Sequence, residues 1–315
     1  CIRDRSMGSP LRLADLEAYH ASNVAPVQTD FKFGELYNMP PPTQGIASLL
    51  ILKIFEALDV QRADGFEHIH ALVEATKRAF LLRDAHVGDP ERMGDHWKSW
   101  LSSEMIDKQA AAIDMNRAMP WPPASKPGDT IWMGAVDREG NVVSYIQSIF
   151  WEFGSGLVVP NTGILWQNRG ASFTLEPGPN ELAPGRLPFH TLNPAMARLD
   201  DGTTLAYGTM GGEGQPQTQS AILSRHVFFG QDMQQAVTAP RWLLGRTWGE
   251  TTTNLKLESR FDDSLVEQLR NAGHDVQIVG AFEDKMGHAG MISMGPDRVI
   301  RGATDPRSDG SCAGL

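Results

Sequence analysis

Two places in the chain combine residue types that could carry chemistry. In residues 128–150, extended runs flank Asp137-Arg138-Glu139-Gly140-Asn141, a short loop with Gly near its end that marks a β-hairpin. Pairing Asp137 with Asn141 around a three-residue loop sets Thr130 opposite Ser148, and a bulge at Gly140 would shift that register by one. A hydroxyl that opens a strand, with a second hydroxyl across from it, offers a nucleophile and a hydrogen-bonding partner. Thr–Ser pairs are also ordinary strand chemistry. The second place is Gly211-Gly212, between an expected strand at 203–208 and a helix starting at Gln215. Successive backbone N–H groups and the positive helix end converge there on one point. A glycine packing turn has the same signature.

The elements that must position these groups alternate between helix and strand. A short helix is expected at Leu11–Tyr19, then a strand pair around Val24–Val27 and Leu36–Met39. Pro40-Pro41-Pro42 makes a rigid turn, and Thr43 caps a helix from about Gly45 to Leu58 that is apolar nearly all round and therefore buried. A second helix spans about Phe66–His86 and a third 100–115. His68 and His70 lie two apart, do not share a helix face, and read as structural. Ala118–Asp129, with prolines at 120, 122, 123 and 127, reads as an exposed, mobile linker suited to cleavage. Beyond the hairpin, 162–169 continues the β material and Leu175–Leu187 is a Pro- and Gly-rich loop. A helix at 215–229, another near 264–272 and short strands to Arg307 complete the chain.

Composition excludes several classes. A hydrophobic content of 41% and a charged content of 21% are globular values, and a net charge of −10 argues against a nucleic-acid surface. Cys1 and Cys312 sit at the two ends, which gives neither a disulfide framework nor a metal-type spacing. No GxGxxG unit, P-loop lysine or internal repeat is present, so no cofactor or metal is expected. The longest apolar stretch, Ile46–Phe55, is interrupted by Lys53 and falls short of the ~18 residues of a membrane span. No signal peptide is visible, and the compartment stays open between cytoplasm and periplasm.

Pro127-Gly128-Asp129-Thr130, the Asp-x-x-Gly-Asn turn and Phe153-Gly154-Ser155-Gly156 together resemble the self-cleaving junction of the γ-glutamyltranspeptidase family of N-terminal nucleophile hydrolases. The Met-Pro-Pro-Pro turn and Arg83-Asp84 leading to Gly88-Asp89-Pro90 extend the likeness, which covers Leu11 to Gly314. The resemblance implies a four-layer αββα sandwich formed by residues 1–129 as the end of a large subunit and 130–315 as the small catalytic subunit. It implies cleavage of the Asp129–Thr130 bond by the Thr130 hydroxyl and an acyl-Thr130 intermediate, with Gly211-Gly212 as oxyanion hole and Ser148 assisting. A freed N-terminal amine, with a pKa of about 7.7–8.0, then serves as base on the same residue. Relative to the family, a long N-terminal portion is expected before Leu11. Cys1–Arg5 reads as adaptor-derived sequence, and the chain as a fragment with a genuine C-terminus.

The resemblance also carries departures. Asn168-Arg169-Gly170-Ala171-Ser172-Phe173 aligns with the family's Asn-Gln-Met-Asp-Asp-Phe recognition strand, which sets Arg169 in place of a Gln and Ser172 in place of the Asp that holds a glutamyl ammonium. Phe150 stands where transpeptidases carry an Asn, and His190-Thr191 replaces a pair of serines that contact the substrate carboxylate. His190 also reads as a structural histidine, and Arg169 as a solvated strand charge. As a site residue Arg169 favours a carboxylate, because its planar fork matches one. The pattern is closer to the amidohydrolase branch, which includes oxamate amidohydrolase and cephalosporin acylase-like proteins. The expected function is hydrolysis of a small anionic amide. Glutathione hydrolysis or γ-glutamyl transfer is the alternative, and an inactive binding-only homologue the third.

Overall fold

The computed structural model describes residues 8–121, 129–245 and 252–314. The expected linker falls largely on 122–128, outside the described residues. The centre of the fold is an antiparallel six-stranded sheet in the order β1-β2-β5-β6-β10-β11, built from Val27–Phe31, Gly34–Asn38, Ala195–Leu199, Thr204–Thr209, Ala289–Met294 and Ile300–Thr304. β1 begins at Val27, where the sequence pattern places the end of a strand. Strands from both sides of Asp129–Thr130 share this sheet, with β2 paired to β5. Described residues on the two sides of that bond are therefore held in one sheet.

One face of the sheet carries helices. Leu36, Ala197, Leu205, Tyr207 and Met291 pack against Leu49 and Leu52 of α2 (Gly45–Ala57) and Ile222 and Leu223 of α6 (Gln215–Leu223). α2 is buried along its length, as its apolar circumference requires. A second core joins α2 to α3 (Phe66–His86), α5 (Ser103–Ala111) and α8 (Asp263–Asn271) and to a small sheet, β7-β8-β9 (Trp242–Leu244, Leu255–Glu258, Val276–Val279). The short helices α1 (Leu13–Ala18), α4 (Pro90–Met93) and α7 (Met233–Thr238) flank these layers. The helix expected over 215–229 ends as an α-helix at Leu223 and continues as a π turn over Ser224–Phe228. The cap of α2 is Gln44; Thr43, one residue earlier, accepts a hydrogen bond from the Gly45 N–H.

The other face carries the hairpin, β3 (Asp129–Val136) and β4 (Val142–Phe150). Trp132 seats it there. A Cβ at Gly208 of β6 would lie 2.1 Å from the Trp132 ring, and one at Gly290 of β10 would lie 2.4 Å from it. Only glycine at those two positions lets the indole lie flat across the sheet. The result is a mixed α/β architecture with a helical layer, a six-stranded sheet and a two-stranded sheet in sequence. The outward face of the hairpin, with Ile131, Met133, Val143 and Tyr145, is 45–58% exposed. Among the described residues no helix is long and apolar enough to cross a membrane.

Candidate active site

The hairpin places Thr130. Asp137 and Asn141 close the loop, with the Asn141 N–H and Nδ2 both donating to the Asp137 carboxylate at 2.8 and 2.7 Å. From Val136↔Val142 to Ile131↔Gln147 the register is the expected one. It slips next to Thr130, where Asp129 faces Phe150, so that β4 has an extra residue opposite Thr130. The bulge thus lies at the open end of the hairpin and not at Gly140. Phe150 absorbs it in a left-handed conformation, φ 79°, and its N–H donates to Ser148 Oγ at 2.9 Å. Asn168 holds the far side, donating its N–H to Ile149 O and accepting from the Trp151 N–H through Oδ1. A non-glycine residue held at positive φ is strain of the kind found at functional sites.

Trp132 also orients the hairpin relative to the glycine turn. Gly134 faces Ile292 and Gly140 faces Met294, so β3 runs in the same sense as β10 and against β6. Going back along β3 from Trp132 to Thr130 therefore matches going forward along β6 from Gly208 to the turn. Thr130 and Gly211-Gly212 lie at the same end of the stack. Gly211 is left-handed at φ 113°, ψ 28°, and Gly212 follows at φ 52° before the chain enters α6 through a 3-10 turn, Gly212–Gly214. The expected tight glycine turn is thus formed at the end of β6, directly before α6.

Asn168–Phe173 is not a strand. Arg169–Ser172 forms a 3-10 turn, and 162–169 carries only a bridge between Val158 and Leu165. Nor is Arg169 a solvated charge: it is 4% exposed, its Cζ lies 4.0 Å from the Phe150 ring centroid, and Nη1 donates to Thr191 Oγ1 at 3.3 Å. Its Nη2 is buried without a hydrogen-bond partner, and among the described residues no carboxylate pairs with it. Burial lowers its pKa to about 9, which leaves it cationic at neutral pH. Phe150 thus serves as a platform for Arg169. Ser172 donates its hydroxyl to Phe189 O at 3.0 Å, shaping the loop that bears His190 and Thr191. His190 Nδ1 accepts from the Leu192 N–H at 3.2 Å, which assigns its proton to Nε2. Burial, then the charge of Arg169, pushes its pKa down to about 3, so the ring is neutral.

Gln44 and Arg83 join these pieces, and neither stands out in the sequence as a site residue. Fully buried Gln44 donates from Nε2 to Thr191 O at 2.8 Å and to Gly212 O at 2.7 Å, and its Oε1 accepts from Arg83 Nη1 at 2.9 Å. Arg83 Nη2 reaches Glu213 at 2.8 Å. The loop bearing Thr191 and the glycine turn are thereby fastened to one carboxamide. The Pro-Pro-Pro-Thr-Gln turn is visible in sequence, but Gln44's partners lie 147 and 168 residues away.

The paired histidines separate as their spacing requires. His68 bonds Ser224 Oγ at 2.9 Å, whereas His70 bonds His274 at 2.8 Å and Asp114 O at 3.0 Å. His70, Glu74 and His274 form a buried group with metal-ligand atoms within 4.8 Å of one another. Its carboxylate is already paired with Lys77 at 2.6 Å, so the cluster is hydrogen-bonded and charge-balanced as it stands.

The sequence profile described as Gamma-glutamyltranspeptidase matches residues 3–315. The chain is 50% identical over 310 residues to the oxamate amidohydrolase proenzyme of Klebsiella pneumoniae, covering 98% of this chain and 59% of that protein. It is 40% identical over 311 residues to the glutathione hydrolase-like YwrD proenzyme of Bacillus subtilis, with the same coverage, 98% and 59%. The chain thus spans about three-fifths of these relatives' length. The crystal structure of cephalosporin acylase from Bacillus halodurans superposes with a TM-score of 0.87 at 32% identity, over 98% of this chain and 56% of that one. The chain therefore belongs to the gamma-glutamyltranspeptidase family.

Proposed function

We propose that the protein is an amide hydrolase that cleaves itself at Asp129–Thr130 and uses Thr130 to hydrolyse a small carboxylate-bearing amide of the oxamate type. The observation that carries this reading is Arg169, a buried cation with one unpaired donor and no protein carboxylate among the described residues, seated on Phe150 beside Thr191. An unpaired buried charge is costly, and a substrate carboxylate supplies the missing partner. The guanidinium of Arg169 repels a glutamyl ammonium.

In the proposed reaction the Thr130 oxygen attacks the amide carbonyl carbon while the Thr130 α-amine takes its proton. Gly211 and Gly212 direct N–H groups at the oxyanion, and Ser148 donates a hydrogen bond to the nucleophile. The C–N bond breaks as the proton passes to the leaving nitrogen, giving an acyl ester on Thr130. Water then attacks the ester, releasing the acid and restoring the hydroxyl. Ser172, His190 and Thr191 line the acyl side, with neutral His190 able to donate from Nε2.

The test compares kcat/KM for oxamate and for a γ-glutamyl anilide in wild type and in Arg169→Gln/Ser172→Asp. Preference for oxamate, lost in the double variant, is the expected result. Efficient anilide turnover with none of oxamate would favour the glutathione hydrolase alternative, to which the Bacillus relative's name points.

A further inference from the structure

We infer that Gln44 is a positioning residue that couples acyl recognition to the oxyanion turn, so that a carboxylate held at Arg169 is expressed in turnover as well as in affinity. The inference rests on the function proposed above. Two consecutive glycines are the softest backbone a chain can offer, and Gly211 and Gly212 both sit at positive φ with no side chain to hold them there. An N–H that must be aimed at a developing charge needs external support. Gln44 gives it by taking the Gly212 carbonyl, and Arg83 adds a second restraint on the next residue through Glu213.

The same carboxamide nitrogen takes the Thr191 carbonyl, and the Gln44 backbone N–H takes the His190 carbonyl at 2.9 Å. Because the amide group is planar, its two N–H bonds diverge at a fixed angle, and moving one carbonyl displaces the other. Thr191 is also the residue that touches Arg169. An unbroken chain of contacts therefore runs from the guanidinium through Thr191 and Gln44 to Gly212. Gln44 is supplied from the segment before Asp129, while every other member of this chain lies after Thr130.

The experiment uses the protein expressed from its complete reading frame, with oxamate as the probe. It measures kcat, KM and melting temperature for Gln44→Met, Arg169→Met and the double variant, all checked for self-cleavage by mass. Gln44→Met is expected to lower kcat at least about ten-fold with KM changed less than about three-fold, the pattern of a weakened oxyanion site. The losses in kcat/KM from the two single variants should fall short of multiplicative in the double variant by about five-fold or more. Gln44→Glu, which keeps the shape and the Arg83 contact but removes the Nε2 donors, should lose kcat likewise and guards against a Met variant that fails to fold. Multiplicative losses, or a Gln44 variant that loses melting temperature but keeps kcat, would overturn the coupling alone. An Arg169→Met variant with unchanged KM for oxamate would overturn the functional reading, and the coupling with it.

Discussion

Arg169 brings its charge into the interior with an aromatic ring for support and one donor unspent. A hydrogen bond to a charged group is worth about 1.5–3 kcal/mol, so Arg169→Gln should raise KM for oxamate by roughly ten- to a hundred-fold, with kcat affected less. Steady-state kinetics on cleaved protein checks this. Histidines give the second residue-scale expectation. His68, His190 and His274 are each held down to about 3, in every case chiefly by burial; Arg225, Arg169 and Lys77 respectively add to it. A histidine with an ordinary value of about 6.5 when unfolded and a lower one when folded stabilises the fold fully above pH 6.5. That contribution is lost as pH falls from about 6.5 toward 3. His274→Gln should make the decline of the urea midpoint across that window shallower; an unchanged slope would remove His274 from the set.

Among the elements, the hairpin shows what sequence makes legible and what it does not. Its loop and register follow from Asp137, Gly140 and Asn141, because a short loop fixes pairing locally, and six successive pairs agree from Val136 to Ile131. The slip at Thr130 depends on Asn168 and on Ser148 capping a left-handed Phe150, contacts that no local pattern encodes. The turn at Arg169–Ser172 is hidden for the same reason: within six residues of strand-like alignment, four form a 3-10 turn in which Arg169 stacks on Phe150. The Gly-Gly turn is legible as a turn, since both glycines take positive φ just before a helix, whereas Gln44 looks like any cap residue. Trp132 yields a test at this scale. Gly208→Ala would drive a methyl group into the indole, and overpacking of this kind costs about 1–3 kcal/mol. The urea midpoint should fall accordingly, and Trp132→Ala in the same chain should recover part of the loss.

The whole molecule is tied together across the junction. β2 pairs with β5, His70 with His274, and the Ala118 N–H donates to Ala272 O at 2.7 Å. Pieces ending at Asp129 and beginning at Thr130 should therefore co-elute in size-exclusion chromatography and separate only in denaturant. Elution as two independent species without denaturant would contradict the shared sheet. The central claim is that Thr130 is the group that cuts the chain and then turns over substrate. Intact-mass spectrometry of wild type and Thr130→Ala, expressed from the complete reading frame, tests it most directly. The account predicts a wild-type fragment whose N-terminal residue is Thr130, and a Thr130→Ala chain that stays whole and inactive. A Thr130→Ala protein cut at the same bond, or a wild type that is active while uncut, would contradict it.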